Sequence, residues 1–216
     1  MRNPDAWKKL FGYALERLTA AKLPENSWSF GGGMVLMLKY NHRFSKDIDI
    51  FFRDQQLLAA VSPRINDAAE ASILDYSEHT QFTKIQFAEG EVDFIVSRQL
   101  TDCQPEVGNV LGRKVYVDSP VEIVAKKIFF RADEFKPRDL FDLAVVYSAL
   151  KSELLKNAFA FSAQLHTLEQ RIGALASSGQ LGQSLQALDV APGGKAFRGR
   201  ELAVCRQFLR DVANKD

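Results

Sequence analysis

Hydrophobic residues recur along the first part of the chain with two different periods. In residues 5–20 the apolar side chains repeat every three to four positions, which is the period of an amphipathic helix. Residues 27–30 and 47–52 are short runs typical of strands, and the second of them, DIDIFF, alternates with period two. Between these strands the glycines of residues 31–33 predict a turn, and residues 34–40 predict a short buried helix.

The mixed pattern continues beyond residue 52. We predict a helix over residues 54–69, followed by three strands in the segments ASILDY, QFTKIQFA and EVDFIVS. Glu89 and Gly90 separate the last two segments and predict a hairpin turn.

From Pro120 onward the pattern is helical. Pro120 and Pro137 each suit the first turn of a helix, where the missing N–H of proline costs no hydrogen bond. The predicted helices run from Pro120 to about Arg131, from residue 138 to about 173, and over residues 199–213. The sequence therefore predicts an α+β protein, with a mixed-sheet domain of residues 1–118 and a helical domain of residues 119–216.

Composition excludes several classes of protein. The 28 basic and 27 acidic residues give a formal charge of +1, which argues against a broad cationic surface for nucleic acid. Cys103 and Cys205 lie far apart and lack the spacing of a zinc or redox motif. We therefore expect the protein to reside in the reducing cytoplasm. The N-terminal segment lacks the apolar run of a secretion signal, and no segment approaches the roughly 20 apolar residues of a membrane span.

Two carboxylates in the strand DIDIFF suggest a metal site. Residues two apart in a strand point to the same face, so Asp47 and Asp49 are expected about 7 Å apart while Ile48 and Ile50 enter the core. A divalent cation removes the repulsion between the two carboxylates, and Mg²⁺ binds carboxylate oxygens together with substrate phosphates. The alternative is that both aspartates face solvent on an edge strand.

The glycines that precede this strand favour the metal interpretation. A strand, a glycine turn and a helix N-terminus expose backbone N–H groups to which a triphosphate can bind. An anion site followed by a pair of metal ligands suits nucleotidyl transfer from a nucleoside triphosphate. A second Gly-rich segment, APGGKAFRGR at residues 191–200, is predicted to be a solvated connection, with phosphate contact as the alternative.

The segment GGGMVLMLKYNHRFSKDIDIFF resembles the signature of the AbiEii/AbiGii toxin family of nucleotidyltransferases. The matching positions are Gly32, Gly33, His42, Arg43, Ser45, Asp47 and Asp49. Downstream, VEIVAKKIFFRADEFKPRDLFDL is similar to two further family motifs. It places Lys127 (or the adjacent Lys126), Arg138, Asp139 and Asp142 at family positions. Together the matching motifs span residues 28–147.

The resemblance implies a DNA polymerase β-like nucleotidyltransferase fold and transfer from a nucleoside triphosphate that depends on Mg²⁺ or Mn²⁺. It also implies an antitoxin encoded nearby, and an acceptor that in some relatives is the 3′ end of tRNA. The chain departs from the family at Met34, where Thr or Ser is usual, because Met34 has no hydroxyl to donate to a phosphate.

Other residues are assigned with an alternative beside each role. Asp93 is predicted to be a third carboxylate ligand of the metal, and the alternative is a solvated strand residue. Lys84 is predicted to contact phosphate, and the alternative is an exposed lysine on an edge strand. Arg43 and Ser45 are predicted to bind the nucleotide, because the forked Arg43 guanidinium suits phosphate, whereas His42 is expected to pack.

The predicted catalytic set includes two residues of the helical domain. Lys127 is expected to neutralise the triphosphate, since adjacent lysines on a helix cannot share a face and Lys127 fits the family spacing better than Lys126. Asp139 and Asp142 are three apart and share a face, so one of them is expected to orient Lys127 or to act as a base. The alternative for this pair is a helix cap plus a surface charge.

The sequence thus predicts a cytoplasmic, metal-dependent nucleotidyltransferase, the toxin of a toxin–antitoxin pair, that acts on an acceptor hydroxyl such as the tRNA 3′ end. Two alternatives stay open. One is nucleotidylation of a small molecule or a protein, and the other is a nucleotide-binding or partner-binding protein without turnover.

Overall fold

A computed structural model describes residues 5–214 of the chain. The strands are β1 (Trp28–Gly31), β2 (Ile48–Phe52), β3 (Ile73–Glu78), β4 (Phe82–Phe87), β5 (Gly90–Val96), β6 (Glu106–Val110) and β7 (Arg113–Val117). The helices are α1 (Ala6–Ala20), α2 (Gly32–Tyr40), α3 (Gln56–Ala60), α4 (Pro120–Arg131), α5 (Pro137–Ala149), α6 (Lys151–Lys156), α7 (Leu165–Ser177), α8 (Leu181–Gln186) and α9 (Glu201–Ala213). The predicted α+β class is confirmed.

The seven strands form one mixed sheet in the order β3-β4-β5-β2-β1-β7-β6. β2 pairs in parallel with β5 and antiparallel with β1, and β1 pairs in parallel with β7. The alternation in DIDIFF is confirmed, because Ile48, Ile50 and Phe52 are fully buried while Asp49 and Phe51 on the other face are only partly buried.

The described residues form two compact units. The first comprises residues 5–35, 45–99 and 104–119 and contains the whole sheet. Helix α1 packs its apolar stripe against one sheet face, where the ring centroids of Phe11 and Phe30 lie 4.9 Å apart. Since Phe30 pairs with Ile50 in the sheet, α1 covers the face opposite Asp49.

The second unit comprises residues 36–44, 100–103 and 120–214 and is helical. Helix α5 lies at its centre, packs against α4 and α9, and is buried from Asp139 to Tyr147. The domain boundary after residue 118 stays a prediction. In the structure, residues 36–44 and 100–103 belong with the helical unit.

The predicted helix over residues 54–69 is wrong in most of its length, because only α3 forms there. Pro63 lacks a backbone N–H, and the chain beyond it is held by Arg17 instead of by helical hydrogen bonds. The buried Arg17 guanidinium donates to the carbonyls of Val61, Asn66 and Ala68 at 3.1, 2.8 and 2.6 Å. This loop therefore depends on one long side chain that periodicity does not reveal.

Helices that begin at a proline were predicted well. Helix α4 begins at Pro120 and ends at Arg131, and α5 begins at Pro137. The long helical run predicted from residue 138 is divided into α5, α6, a 3-10 segment and α7. The hairpin of β6 and β7 and the short helix α8 were not predicted. Among residues 5–214, no helix is long and apolar enough to cross a bilayer.

Candidate functional site

Four residues on neighbouring strands lie in one row across the sheet. Gly31 of β1 pairs with Asp49 of β2, Asp49 pairs with Asp93 of β5, and Asp93 pairs with Lys84 of β4. Directly paired residues project to the same side of a sheet, so this row places two carboxylates and an ammonium group beside the glycine turn. The structure thus brings Asp49, Asp93 and Lys84 together, as the sequence predicted.

Both the backbone conformation and the neighbouring atoms require glycine at residue 32. Its φ is +69°, a conformation that side chains with a Cβ rarely adopt, and a Cβ at this position would lie 1.8 Å from Asp49 Oδ2. The helix α2 therefore begins against the Asp49 carboxylate, and only glycine allows this approach. Gly33 follows in the first turn of α2 and is buried. Met34 is fully buried, so its side chain belongs to the core.

Asp93 is held in an environment that disfavours its charge. Burial, followed by the charge of Asp49, raises the pKa of Asp93 to about 7, although the Lys84 charge opposes the shift. Its Oδ1 atom is buried and has no hydrogen-bond partner among residues 5–214. A buried carboxylate oxygen without a partner is costly, so this atom is poised to bind a cation or a proton donor.

Asp47 lies one residue before β2 and is less firmly held. Its Oδ1 accepts a long hydrogen bond of 3.4 Å from the backbone N–H of Glu91. Gly90 stands beside it with φ of +150°, and a Cβ there would lie 3.3 Å from Asp47 Oδ1. The β4–β5 hairpin therefore packs against Asp47 through its main chain.

The three aspartates fit a divalent cation in part. In residues 5–214 no group of three or more His, Cys, Asp or Glu side chains is arranged so as to hold a metal ion. Asp49 and Asp93 nevertheless meet the requirements for two ligands, because they are paired in the sheet and Asp93 Oδ1 has no partner in the described part of the chain. Magnesium commonly takes one or two carboxylates and completes its shell with water and phosphate oxygens.

A second charged cluster lies within the helical unit and is centred on Asp142. This carboxylate accepts two hydrogen bonds from Arg43, at 2.6 and 2.7 Å, and one from His42 Nε2 at 2.8 Å. Lys127 Nζ lies 3.0 Å from its Oδ2. Burial opposes ionisation of Asp142, yet the charges of Arg43 and Lys127 hold its pKa well below the usual value.

Asp139 extends this cluster and also caps helix α5. Its Oδ1 accepts from Lys127 at 2.7 Å and from Arg131 at 2.5 Å, and its Oδ2 accepts from the backbone N–H of Lys136. Burial acts against the charge, but Lys127 and Arg131 lower the pKa of Asp139. The alternative of a helix cap is thus observed for Asp139, and it coexists with an ion pair to Lys127.

The remaining predicted residues have clear positions. Arg43 is buried on Asp142, so its nucleotide-binding role stays a prediction, and Ser45 is partly buried in the loop before β2. Lys126 Nζ lies 3.6 Å from Glu122 Oε1, whereas Lys127 Nζ contacts Asp139 and Asp142, which agrees with the expectation that adjacent lysines diverge. Arg138 is exposed.

The Gly-rich segment at residues 191–200 is not a solvated connection throughout. Residues 192–197 form a 3-10 helix whose glycines lie against the chain at residues 40–42. A Cβ at Gly193 would lie 2.1 Å from the Tyr40 carbonyl oxygen, and one at Gly194 would lie 2.0 Å from that of His42. Close packing of two backbones accounts for these glycines.

Glu91 belongs to the site but was not predicted. It stands two residues before Asp93 on β5, and its Oε2 accepts a hydrogen bond of 2.9 Å from Lys84 Nζ. The signal was present in the sequence, since EVD places Glu91 and Asp93 on one strand face.

Comparison with solved structures identifies the fold. MenT4, a nucleotidyltransferase toxin from Mycobacterium tuberculosis H37Rv, is similar with a TM-score of 0.55 and 16% identity, over 98% of this chain and 85% of that one. JHP933 from Helicobacter pylori is similar with a TM-score of 0.50 and 17% identity, over 96% and 92% of the two chains. The antibiotic-resistance factor ANT(2'')-Ia is similar with a TM-score of 0.50 and 17% identity, over 76% and 96%. The fold is that of a nucleotidyltransferase.

The family follows from the sequence itself. No curated protein matches the chain. The profile of the family described as nucleotidyl transferase AbiEii toxin, type IV toxin–antitoxin system, matches residues 13–200, and the chain belongs to this family. It is therefore an enzyme of the nucleotidyltransferase class. Family membership implies a nucleotide substrate and an antitoxin partner, and enzymes of this kind generally use divalent metal ions.

Proposed function

We propose that the chain is a Mg²⁺- or Mn²⁺-dependent toxin that transfers a nucleotidyl group from a nucleoside triphosphate to a hydroxyl of tRNA, at its 3′ end. The observation that carries the proposal is the row of Gly31, Asp49 and Asp93 in the sheet. Gly32 lies against Asp49, and one buried oxygen of Asp93 has no partner within residues 5–214.

Asp49 and Asp93 would hold the metal ion, and Asp47 would join them by a small rotation away from the Glu91 N–H. The long hydrogen bond of Asp47 makes this rotation easy. The metal supplies charge stabilisation for the phosphate oxygens. Backbone N–H groups at the start of α2, at Gly32 and Gly33, would bind the triphosphate, which needs no hydroxyl from Met34.

The reaction forms a bond between the acceptor oxygen and the α-phosphorus and breaks the bond to the bridging oxygen of the β-phosphate, which leaves as part of pyrophosphate. The acceptor hydroxyl loses its proton as it attacks. That proton would pass to solvent, and Asp93 would favour its loss by holding the metal ion close to the hydroxyl.

The Asp142 cluster would supply positive charge for the triphosphate. It holds two carboxylates, from Asp139 and Asp142. These face three cations, from Arg43, Lys127 and Arg131, so the cluster has one positive charge in excess. We assign Lys127 as the residue that contacts phosphate, with Asp139 and Asp142 fixing its position.

The proposal is tested by incubating the protein with each α-labelled nucleoside triphosphate, Mg²⁺ and total tRNA. We expect one triphosphate to label tRNA in the wild type and no labelling by Asp49→Asn. The matched control is Asp75→Asn, since Asp75 is an exposed aspartate on β3 of the same sheet. Labelling by Asp49→Asn at the wild-type rate would refute the site.

A small molecule or a protein is the second candidate acceptor, because ANT(2'')-Ia, an antibiotic-resistance factor, has a similar fold. Parallel reactions should therefore contain total protein or hydroxyl-rich small molecules in place of tRNA. Label in one of these fractions and not in tRNA would support nucleotidylation of that acceptor. No label in any fraction, with triphosphate binding retained, would favour a binding protein without turnover.

A further inference from the structure

The face of the sheet that carries the candidate site has an excess of negative charge. Four carboxylates lie close together here, at Asp49 of β2, at Glu91 and Asp93 of the neighbouring β5, and at Asp47 just before β2. Lys84 of β4 is paired with Asp93 across the antiparallel strands, and Glu91 is its diagonal neighbour. A single ammonium group thus stands where two carboxylates of β5 can both reach it.

Lys84 divides its contacts unequally between these two carboxylates. Its Nζ lies 2.9 Å from Glu91 Oε2, a hydrogen bond, and 3.6 Å from Asp93 Oδ2, a looser ion pair. About a third of the Lys84 and Glu91 side chains is exposed, at 39% and 33%, so the ammonium can move between partners by changing rotamer. Asp93 is less exposed, at 19%.

We propose that Lys84 is an internal counter-cation of the metal site and that Glu91 sets how strongly Lys84 competes with a divalent cation for Asp93. This inference rests on the proposed function, because it takes Asp49 and Asp93 as metal ligands. A cation bound at Asp93 repels the Lys84 ammonium, and Glu91 offers that ammonium a second partner within hydrogen-bonding distance.

The two residues should therefore act in opposite directions. Without the Glu91 charge, Lys84 pairs with Asp93 and the divalent cation must displace it, so cation affinity falls. Without the Lys84 charge, the competitor is gone and cation affinity rises. Since the pair is partly exposed, we expect changes of about three- to tenfold in each direction.

The experiment measures Mn²⁺ binding to the full chain by electron paramagnetic resonance of free Mn²⁺, with no triphosphate present. The variants are Lys84→Met, Glu91→Gln and the double variant. We expect the dissociation constant to fall in Lys84→Met and to rise in Glu91→Gln. The double variant should resemble Lys84→Met, because Glu91 acts only through Lys84. Omitting the triphosphate separates this role from a direct contact between Lys84 and phosphate.

Lys9 and Glu89 provide a matched control. Lys9 of α1 and Glu89 of the β4–β5 turn form a Lys–Glu pair of 2.6 Å, and α1 covers the sheet face opposite Asp49. Lys9→Met and Glu89→Gln should each change Mn²⁺ affinity by less than about twofold.

Three results would contradict the inference, and they can be told apart. If Asp49→Asn abolishes Mn²⁺ binding but Lys84→Met and Glu91→Gln leave it unchanged, the metal site stands and the counter-cation role is wrong. If the wild type and Asp49→Asn do not differ in Mn²⁺ binding, the metal site itself fails, and the inference fails with it. A double variant that resembles Glu91→Gln would also contradict the proposed order of action.

Discussion

Replacing Asp93 by asparagine should make the metal-free protein more stable at neutral and alkaline pH. The folded chain disfavours the Asp93 charge, since burial and the Asp49 carboxylate raise its pKa to about 7. In the unfolded chain an aspartate has a pKa of about 3.9. Ionised Asp93 is therefore less favourable in the folded state than in the unfolded state, and asparagine removes that penalty.

The size of the effect follows from the pKa difference. About three pKa units separate the two states, and each unit is worth about 1.36 kcal/mol, so the penalty approaches about 4 kcal/mol above pH 7. Asparagine introduces an amide beside Asp49 and recovers only part of this amount. We expect Asp93→Asn to raise the free energy of unfolding by about 1–3 kcal/mol at pH 8.

The pH dependence has a definite sign. Between about pH 4 and 7 the folded wild type binds a proton at Asp93 that the unfolded chain releases, so its stability increases as the pH falls. Below about pH 4 Asp93 is neutral in both states. The advantage of Asp93→Asn should therefore be largest at pH 8, decrease through pH 7, and vanish near pH 4.

Urea unfolding followed by far-UV circular dichroism at several pH values measures this difference. Asp75→Asn is the control, because Asp75 is exposed on the same sheet and should change stability by less than about 0.5 kcal/mol. Excess Mg²⁺ should stabilise the wild type and not Asp93→Asn, since a ligand of the folded state shifts the unfolding equilibrium. An Asp93→Asn protein that is less stable at pH 8, or a difference that does not vary with pH, would refute the reasoning.

Three other changes have clear expected results. Gly32→Ala should lower the free energy of unfolding by about 1–3 kcal/mol in urea and abolish labelling. The control is Gly12→Ala in α1, where the added Cβ meets open space, and it should be neutral or stabilising by up to about 1 kcal/mol in the same urea unfolding assay. Asp142→Asn removes the carboxylate that the buried Arg43 and Lys127 share, so it should lower the free energy of unfolding in urea by about 3–5 kcal/mol. A decrease of less than about 1 kcal/mol would contradict this network. Lys127→Ala should lower the labelling rate far more than Lys126→Ala, and the reverse order would mean that Lys126 is the phosphate contact.

The sequence predicted those features that local chemistry determines. Helices α4 and α5 begin at Pro120 and Pro137 because a fixed φ and a missing N–H suit the first turn. The alternation around Asp49 and Asp93 revealed which residues are buried, since side chains in a strand point to opposite faces in turn. From that alternation it was possible to place both carboxylates on one sheet face.

Features that depend on distant partners were not predictable in this way. The segment after Val61 has helical spacing, but Arg17 holds it as a loop from 44 residues away. Likewise, Asp142 is bound by Arg43 from 99 residues away, and nothing in the local pattern reveals that both are buried. Glu91 lies within reach of local reasoning, but its importance depends on Lys84, which pairing of β4 with β5 brings to it.

The two charged clusters differ in how far their carboxylates are already paired, and this difference indicates which carboxylates can still bind a cation. Asp93 and Asp142 are both largely buried, yet the pKa of Asp93 is raised and that of Asp142 is lowered well below its usual value. Asp142 has cations and hydrogen-bond donors on both oxygens, whereas Asp93 faces other carboxylates and keeps one buried oxygen without a partner among residues 5–214. Burial alone cannot explain opposite shifts, so the cause is the balance of neighbouring charge. A fold selected for stability alone would neutralise Asp93, as asparagine does. An unfavourable negative charge at the glycine turn is expected where a cation must bind. A cation binds more tightly to carboxylates whose charge is not already balanced by neighbouring groups.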